Sequence, residues 1–504
     1  MAQLTGNFTG DASADTFSGS IINDEQTVIN GVATGIAVRQ VIIDTLGGAD
    51  TIDSTTQFLA RPFLSANAIG MTDADINTGT GTDLINIVSN ANSLVSTLST
   101  GLQNSFIETA SGSDTVTISS SGRASFAGGS TPGTSTGVRL ATIDLGSKND
   151  TLQIESVAVG APAEGRGSST DAGIDQSTLI GGGGQDVIVV TSLADEGRSA
   201  SGTDAVSSAA KGQSNIQGGN GADLITLSAT ANGGNGISRA STATASGISD
   251  GTFVEGGNGA DTITISGLAT GGVAFGSGPI PNGAITKAYG AINSTVLGGA
   301  GLDIINITGT AETGSTSPDS VAYGVLNSTV EGGSGNDSIK IKASGSSEGF
   351  GATRNGAAGS EIRGGLGSDT IDISVDAAAG IGASVGALNT TIDGGRGKDT
   401  IKIRGLHLDL QDTLILGGDG RDTFDTGIGS GTLLGGAGRD VLKLDFFNTD
   451  TMSIEQAGVN GLKITGTADK MGVATNWVQE VFEVEAYEVA GTTYDAAGVV
   501  NLLG

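Results

Sequence analysis

The sequence predicts an all-β fold, an elongated parallel β-solenoid of about fourteen coils with a small C-terminal capping unit. Three observations predict it: a glycine turn motif recurs along the chain, a strand-like alternation follows each copy, and the composition excludes other repetitive folds. With 87 Gly and 6 Pro in 504 residues, the chain is too rich in glycine for packed helices and too poor in proline for a collagen-like triple helix. An apolar content of 37% also argues against simple disorder.

The turn motif is Gly-Gly-x-Gly-x-Asp, and nine copies match it at every fixed position. The aspartates of these strict copies are Asp186, Asp223, Asp261, Asp303, Asp337, Asp369, Asp399, Asp422 and Asp440. Five weaker copies precede them and end at Asp15, Asp50, Asp83, Asp114 and Asp150. Successive aspartates lie 18 to 42 residues apart, so we expect one motif in each coil of a stacked repeat.

Each coil is predicted to contain three short strands. After the motif, apolar residues occupy every second position, as in the segment 261–265, which indicates a half-buried strand. A second strand precedes the turn, for example at 294–297, and a third is predicted in the return segment, at 289–293 and 324–327. One such unit cannot bury its own apolar face, whereas coils stacked about 4.8 Å apart can.

Charged residues three positions after the motif aspartate alternate in sign in the late repeats. They are Lys340, Asp372, Lys402, Asp425 and Lys443. Opposite charges on directly neighbouring strands attract, so this pattern predicts that the late coils stack in register.

The motif aspartates suggest a metal site. The net charge of −30 repels nucleic acid and anionic membranes, and stacked aspartates would repel each other by on the order of 3–4 kcal/mol per neighbouring pair at an effective dielectric constant of about 20. A hard divalent cation between coils would cancel this repulsion. Calcium binds carboxylate and carbonyl oxygens, and glycines allow a turn to aim its carbonyls inward, so we expect several Ca²⁺ ions in one column along one edge.

The motif resembles that of the repeats-in-toxin (RTX) family, Gly-Gly-x-Gly-x-Asp-x-U-x with U apolar. The segments 256–264 and 332–340 fit it at every position. The resemblance implies a right-handed solenoid with Ca²⁺ between successive turns, held by the carboxylates of the nine strict aspartates and by glycine carbonyls. These glycines are Gly218, Gly221, Gly256, Gly259, Gly298, Gly301, Gly332, Gly335, Gly364, Gly367, Gly394, Gly397, Gly417, Gly420, Gly435 and Gly438.

The chain departs from the family in its coil length. Family members run nine-residue motifs in tandem, which gives 18-residue coils with calcium on both edges, whereas only Asp422 and Asp440 show that step here. A single column of ions and a wider coil are therefore expected. The degenerate copies before Asp186 are expected to bind calcium weakly or not at all.

The predicted organisation is a solenoid over residues 1–445 and a cap over 446–504, where the only tryptophan, Trp477, lies. The segment 481–495 and the apolar tail 499–503 resemble the uncleaved export signal of type I secreted proteins, with a plain capping element as the alternative. The N-terminus has neither a basic stretch nor an apolar core, so no Sec-type signal peptide is predicted, and no apolar run is long enough to span a membrane. We therefore expect export to the extracellular space or the cell surface.

The expected function is structural rather than enzymatic. There is no cysteine, and the single histidine, His407, lies among leucines without a nucleophile motif. The sequence predicts a secreted, calcium-binding building block of a surface layer, sheath or filament that self-associates head to tail. An adhesin or module that binds surface polysaccharide is one alternative, and a polysaccharide-modifying β-helix enzyme is another.

Overall fold

The computed structural model describes residues 4–11, 13–22, 27–29, 32–59, 64–125, 132–160, 168–196, 204–234, 242–272, 285–312, 319–345, 352–377, 383–444, 452–458, 461–470 and 473–503. They form the predicted parallel β-solenoid. Each coil runs through a return strand, a corner, a pre-turn strand, the glycine turn and a motif strand. Each coil is named after its motif aspartate.

The motif strands form a sheet of sixteen strands. The first fourteen each begin one residue after a motif aspartate, because the turn ends there and the alternating segment begins. Their bounds, followed by those of the two capping strands, are Thr16–Ile22, Thr51–Leu59, Leu84–Ser93, Thr115–Ala124, Thr151–Val159, Val187–Asp195, Leu224–Asn232, Thr262–Thr270, Ile304–Glu312, Ser338–Gly345, Thr370–Ala377, Thr400–Arg404, Thr423–Asp425, Val441–Lys443, Ala486–Val489 and Thr492–Tyr494.

The return and pre-turn strands belong to a second sheet of 28 strands. The return strands are Ser65–Thr72, Thr97–Gln103, Gly133–Arg139, Ser169–Asp175, Ala205–Lys211, Ala243–Ile248, Ile285–Ile292, Asp319–Leu326, Thr353–Ala358 and Ala383–Leu388. The pre-turn strands are Leu4–Thr9, Asp75–Asn77, Phe106–Glu108, Thr142–Asp144, Thr178–Gly183, Asn215–Asn220, Phe253–Asn258, Thr295–Ala300, Thr329–Ser334, Glu361–Leu366 and Thr391–Gly397. Three longer strands cover both segments, namely Val32–Asp44, Leu408–Gly420 and Gly429–Gly438, and Thr27–Ile29 pairs antiparallel with the first of these.

Neighbouring coils pair in register, as the charge alternation predicted. Lys340 pairs with Asp372, Asp372 with Lys402, and Lys402 with Asp425. The Nζ atom of Lys402 lies 3.6 Å from Oδ2 of Asp372. Along each motif strand from Thr51–Leu59 onward, the second, fourth and sixth residues after the aspartate point inward and are buried, and the odd positions face outward.

Inside the solenoid, the return strand lies so close to the motif strand that it needs glycine. A Cβ atom on Gly290 would stand 2.5 Å from Cγ2 of Ile307 and 2.5 Å from the carbonyl oxygen of Gly324. The glycines that face an isoleucine or valine in this way are Gly70, Gly101, Gly137, Gly173, Gly247, Gly290, Gly324, Gly356 and Gly386. Among the ten separate return strands the exception is Ala209, whose place in the register faces Leu227. Leucine carries no methyl group on its β-carbon, so this coil has room for the alanine side chain.

The corner between return and pre-turn strands uses the left-handed backbone region. Asn293, Asn327 and Asn389 have φ angles of 50°, 49° and 48°, a conformation that asparagine tolerates better than most residues. After the corner, the backbone N–H of Ser294 donates to Oγ of Ser328 in the next coil, at 3.2 Å. The corners therefore stack as a ladder of side-chain hydrogen bonds.

Leu140 occupies this corner with a φ of 52°, and its side chain is 45% exposed. A leucine in this region is strained by roughly 1–2 kcal/mol and gains little from packing when it is so exposed. We expect Leu140→Asn to stabilise the protein by about 1 kcal/mol in urea unfolding at saturating calcium, and the reverse exchange Asn327→Leu to destabilise it by a similar amount. Equal stability of the Leu140→Asn variant and the parent protein would contradict this explanation.

The C-terminal residues close the last coil. Ala486–Val489 pairs parallel with Val441–Lys443, and Val473–Phe482 pairs parallel with Gly429–Gly438. Met452–Gln456 and Leu462–Lys470 continue the second sheet as antiparallel strands. The predicted boundary at 445/446 lies outside the described residues. The helix Ala496–Leu503 contains the whole apolar tail 499–503 and buries Val499. No helix in the described part of the chain could span a membrane.

Candidate metal centre

Successive glycine turns stack so closely that a side chain at any of the three fixed glycine positions would clash. In the Asp261 coil, a Cβ on Gly257 (φ 113°) would stand 2.0 Å from the carbonyl oxygen of Gly219, and a Cβ on Gly259 (φ 136°) would stand 1.5 Å from that of Gly221. Gly256 has an ordinary φ, yet a Cβ there would lie 2.6 Å from Oδ2 of its own Asp261. The close stacking of one turn on the next therefore explains why the motif has glycine at these three positions.

The motif aspartates form a continuous ladder. The backbone N–H of Asp261 donates to Oδ1 of Asp303 at 2.8 Å, and the same bond joins each of the thirteen steps from Asp15 to Asp440 at 2.7–2.9 Å. One oxygen of each carboxylate thus satisfies the backbone of the preceding coil.

The ladder ends on a residue that sequence reasoning missed. The N–H of Asp440 donates to Oε2 of Glu485 at 2.9 Å, so the cap supplies the acceptor that a further coil would have supplied. A signal for it exists in the sequence, because Glu485 precedes the strand Ala486–Val489 by one residue, as each motif aspartate precedes its own strand.

The second carboxylate oxygen has no such partner. From Asp50 to Asp440, the thirteen motif aspartates are at most 3% exposed, and Oδ2 of each is buried without a hydrogen-bond partner among the described residues. In the strict turns this oxygen faces another acceptor. The point where a Cβ on Gly256 would stand is 2.6 Å from Oδ2 of Asp261 and 2.5 Å from the carbonyl oxygen of Gly298 in the next coil. Two buried acceptors that border the same small space are costly unless a proton or a cation lies near them.

Burial raises the pKa of these carboxyl groups. Desolvation is the largest cause, neighbouring aspartates add to it in most of the coils concerned, and the N–H of the preceding coil opposes it. The pKa rises to about 7 for Asp150 and Asp399. It rises to about 6 for Asp186, Asp261, Asp303, Asp369 and Asp440. Without a cation, protons therefore bind these carboxylates at a higher pH than they bind an exposed aspartate.

The strict turns fit calcium by the chemistry of their oxygens. Each brings together a carboxylate oxygen and a backbone carbonyl, the two ligand types that Ca²⁺ takes from proteins. Oδ1 already accepts a backbone N–H, so each aspartate would bind through Oδ2 alone. Among the described residues, no three side chains of His, Asp or Glu are placed to hold one ion, so neighbouring turns and water would have to complete the usual six to eight ligands.

All five degenerate N-terminal turns keep the ladder, but four of them fill this space, and only the first keeps a glycine there, Gly10. Thr45, Thr78, Thr109 and Leu145 replace the first glycine of the motif, and all four are buried. Oγ1 of Thr109, for example, donates to the carbonyl oxygen of Leu145 at 2.6 Å. A side chain thus occupies the position next to Oδ2 that the strict turns leave clear. Weak or absent calcium binding in these coils remains a prediction, now with a steric reason.

The raised pKa values predict an inverted pH dependence of the calcium-free protein. Carboxyl groups with a pKa above the unfolded value of 3.8 bind protons on folding, so the free energy of unfolding should fall as pH rises from about 4 through 6–7. Each proton taken up contributes about 1.4 kcal/mol per pH unit. Urea unfolding in EDTA at pH 4.5 and pH 6.5, where protons still stabilise the fold, measures this slope, and saturating calcium should reverse it, because calcium and protons compete for Oδ2.

Two variants separate the ladder from the general surface charge. Asp303→Asn should flatten the slope in EDTA, because it removes one buried titrating group. Asp73→Asn at an exposed corner, where asparagine suits the φ of 53°, should leave the slope unchanged. A slope that both variants reduce equally would assign the effect to net charge alone.

Two further groups lie away from the column. Asp171 is fully buried between motif and return strands, where it accepts hydrogen bonds from Oγ of Ser156 at 2.5 Å and Oγ of Ser192 at 2.6 Å, and burial raises its pKa to about 7. His407 is half-buried, and its backbone N–H donates to the carbonyl oxygen of Ser384. These hydrogen bonds run to motif and return strands instead of the glycine turns, so neither residue belongs to the candidate site.

In a comparison with known proteins, no protein-family model matches the chain, and no curated protein sequence is significantly similar to it.

Proposed function

We propose that this chain is a secreted, calcium-binding structural protein of the bacterial cell surface, a building block of a layer, sheath or filament that folds and assembles when it binds Ca²⁺. The observation that supports it is the column of buried carboxylates whose Oδ2 atoms lack partners and, in the strict turns, face glycine carbonyls. A site that recurs in nine successive coils suits a mechanical role. The resemblance to RTX repeats points in the same direction.

Calcium would act on folding through mass action. A ligand that binds the native state alone stabilises it by RT ln(1 + [L]/Kd), and this term applies at every occupied turn. Where calcium is scarce, a chain with a net charge of −30 and stacked carboxylates would be held open by repulsion, which suits export in an unfolded form. Where calcium is plentiful, the turns would close coil by coil.

The experiment is a calcium titration of EDTA-stripped protein at pH 8, followed by circular dichroism and by light scattering after size exclusion. We expect a cooperative gain of β-structure, contraction of the chain, and binding of no more Ca²⁺ than the nine strict turns can hold. Magnesium serves as the control and should act weakly, because it demands octahedral geometry and retains its water. Protein that is already folded in EDTA at pH 8 and binds no calcium would rule out the metal column.

A further inference from the structure

One face of the rod lacks charge on a chain that is otherwise strongly acidic. The outward residues considered for this face occupy the first, third, fifth and seventh positions after the motif aspartate. At the ninth position, where the strands end, charges return with Arg123, Asp195 and Glu312. In the seven coils from Asp83 to Asp303 these four positions make twenty-eight residues, and Glu155 is the only charged one. The same stretch of pre-turn strands carries several outward acids, among them Glu108, Asp144 and Glu255. We call the uncharged surface the neutral face.

The neutral face is apolar at its centre. The middle one of the seven coils, that of Asp186, presents Val187, Val189 and Leu193 outward, more aliphatic side chains than any other coil of the face. An apolar centre within a polar surround is the usual arrangement of a protein–protein interface. Two copies of a chain with a net charge of −30 can also bring their neutral faces together without repulsion between carboxylates on those faces.

The pattern on the neutral face is self-complementary. A two-fold axis parallel to the strands, placed at the Asp186 coil, reverses the order of coils and keeps the order of positions along each strand. Leu84 then lies opposite Ile304, and these two side chains are 42% and 45% exposed. The Asp114 coil, with Thr, Thr and Ser at its first three outward positions, lies opposite the Asp261 coil, with the same three residue types. In an isologous dimer interface, residue i contacts residue j and residue j contacts residue i, so the two ends of the face must suit each other. Apolar facing apolar and hydroxyl facing hydroxyl meets that condition.

The charges at the rim also match. One coil beyond the neutral face at each end, the third position carries Asp53 in the Asp50 coil and Lys340 in the Asp337 coil. The same two-fold axis places Asp53 of one copy opposite Lys340 of the other, twice in the dimer. Opposite charges at a rim fix register more than they add affinity.

The neutral face is large enough to form a stable protein–protein interface. Seven coils about 4.8 Å apart, with seven residues of about 3.3 Å each, cover roughly 30 Å by 23 Å, or about 700 Å² per copy. A stable interface of ordinary size buries about 800 Å² on each partner.

We infer that the neutral face is a dimer interface on which a second copy of this chain packs sheet against sheet, with antiparallel rods and the Asp186 coils at the two-fold axis. This inference rests on the self-association within the proposed function, and it names a lateral surface instead of the rod ends. The C-terminal end is closed by the cap.

The test is the mass of the full chain in saturating calcium, measured by sedimentation equilibrium. Val189→Lys would bring two ammonium groups together at the apolar centre, and we expect the dimer to dissociate at least tenfold more readily. The matched control is Ile180→Lys, an outward aliphatic residue of the same coil on the other sheet, with the same change of charge; it should dimerise as the parent does.

A charge exchange tests the register. Asp53→Lys alone should weaken the dimer through two like-charged contacts, and Asp53→Lys combined with Lys340→Asp should restore it. A parent protein that is monomeric, a Val189→Lys variant with unchanged mass, or a double exchange that restores nothing would each overturn the inference. Binding of monomeric protein to an insoluble polysaccharide through the same face would also overturn it and favour a glycan partner. A dimer that persists without any response to calcium would contradict the proposed function and leave the interface standing.

Discussion

Replacing Asp261 by alanine is expected to lower the free energy of unfolding of the calcium-loaded protein by about 3 kcal/mol and to remove one bound Ca²⁺. The substitution leaves the buried N–H of Asp223 without its acceptor, since that bond runs to Oδ1 of Asp261 at 2.8 Å. It also removes Oδ2, the oxygen offered to the metal. Urea unfolding and calcium titration measure the two losses separately.

Asp261→Asn separates the two roles of the carboxylate. Its side-chain oxygen can still accept the N–H of Asp223, and its amide can donate toward the carbonyl oxygen of Gly298, where Asp261 presents a second acceptor. We expect this variant to bind one Ca²⁺ fewer and, in EDTA at pH 6.5, to unfold at a higher urea concentration than the parent. The gain follows from removing a buried charge that lacks a counter-ion.

The control for both exchanges is Asp376→Ala, which removes an acidic group with a 72% exposed side chain that pairs with Lys342. An exposed ion pair contributes about 0–1 kcal/mol, and its loss should leave calcium stoichiometry intact. An Asp261→Asn variant that is less stable than the parent in EDTA would show that the carboxylate is already compensated without metal.

Gly290→Ala is expected to destabilise the protein by roughly 1–3 kcal/mol, because the new methyl group meets Cγ2 of Ile307 and the carbonyl oxygen of Gly324, each at 2.5 Å. The backbone conformation itself is acceptable for alanine, since the φ of Gly290 lies outside the left-handed region. The loss would therefore report packing between return and motif strands. Urea unfolding in calcium measures it.

The coil that carries alanine in place of this glycine suggests a second substitution that should offset the loss of stability in Gly290→Ala. One coil carries Ala209 opposite Leu227, so Ile307→Leu should recover about 1 kcal/mol of the Gly290→Ala loss in a double-mutant cycle. The control is Ala209→Gly in the coil that already has room, where the loss should stay at about 1 kcal/mol or below. Simple additivity of Gly290→Ala and Ile307→Leu would mean that the carbonyl contact alone sets the cost.

Much of this fold could be predicted from the chain alone because the repeat is local and redundant. A single Gly-Gly-x-Gly-x-Asp turn is weak evidence, but nine in sequence specify one turn per coil, and the alternation in 261–265 specifies which residues point inward. The sign alternation of Lys340, Asp372 and Lys402 predicted the register before any pairing was known, and the pairing confirms it. Calcium at these turns stays a prediction.

The sequence could not predict which oxygen of each aspartate accepts a hydrogen bond and which remains without a partner. The sequence shows that aspartates recur, but their hydrogen bonds run to a backbone 18 to 42 residues away, so only the stacked coils reveal that Oδ1 is engaged and Oδ2 is not. The same holds for Glu485, which completes the ladder from a segment without the motif. Its role depends on where the cap places it.

By itself, the sequence determined the β-solenoid, the number of its motifs, the strand that follows each turn and the acidic character of the chain, because these depend on residues close together in sequence. Only the tertiary structure decided which atoms of the aspartates remain unpartnered, why Ala209 can replace a glycine, and that the outward positions of seven coils form one neutral face. These depend on the contact of coils and sheets, where residues 18 to 42 positions apart in sequence meet at distances of a few ångströms.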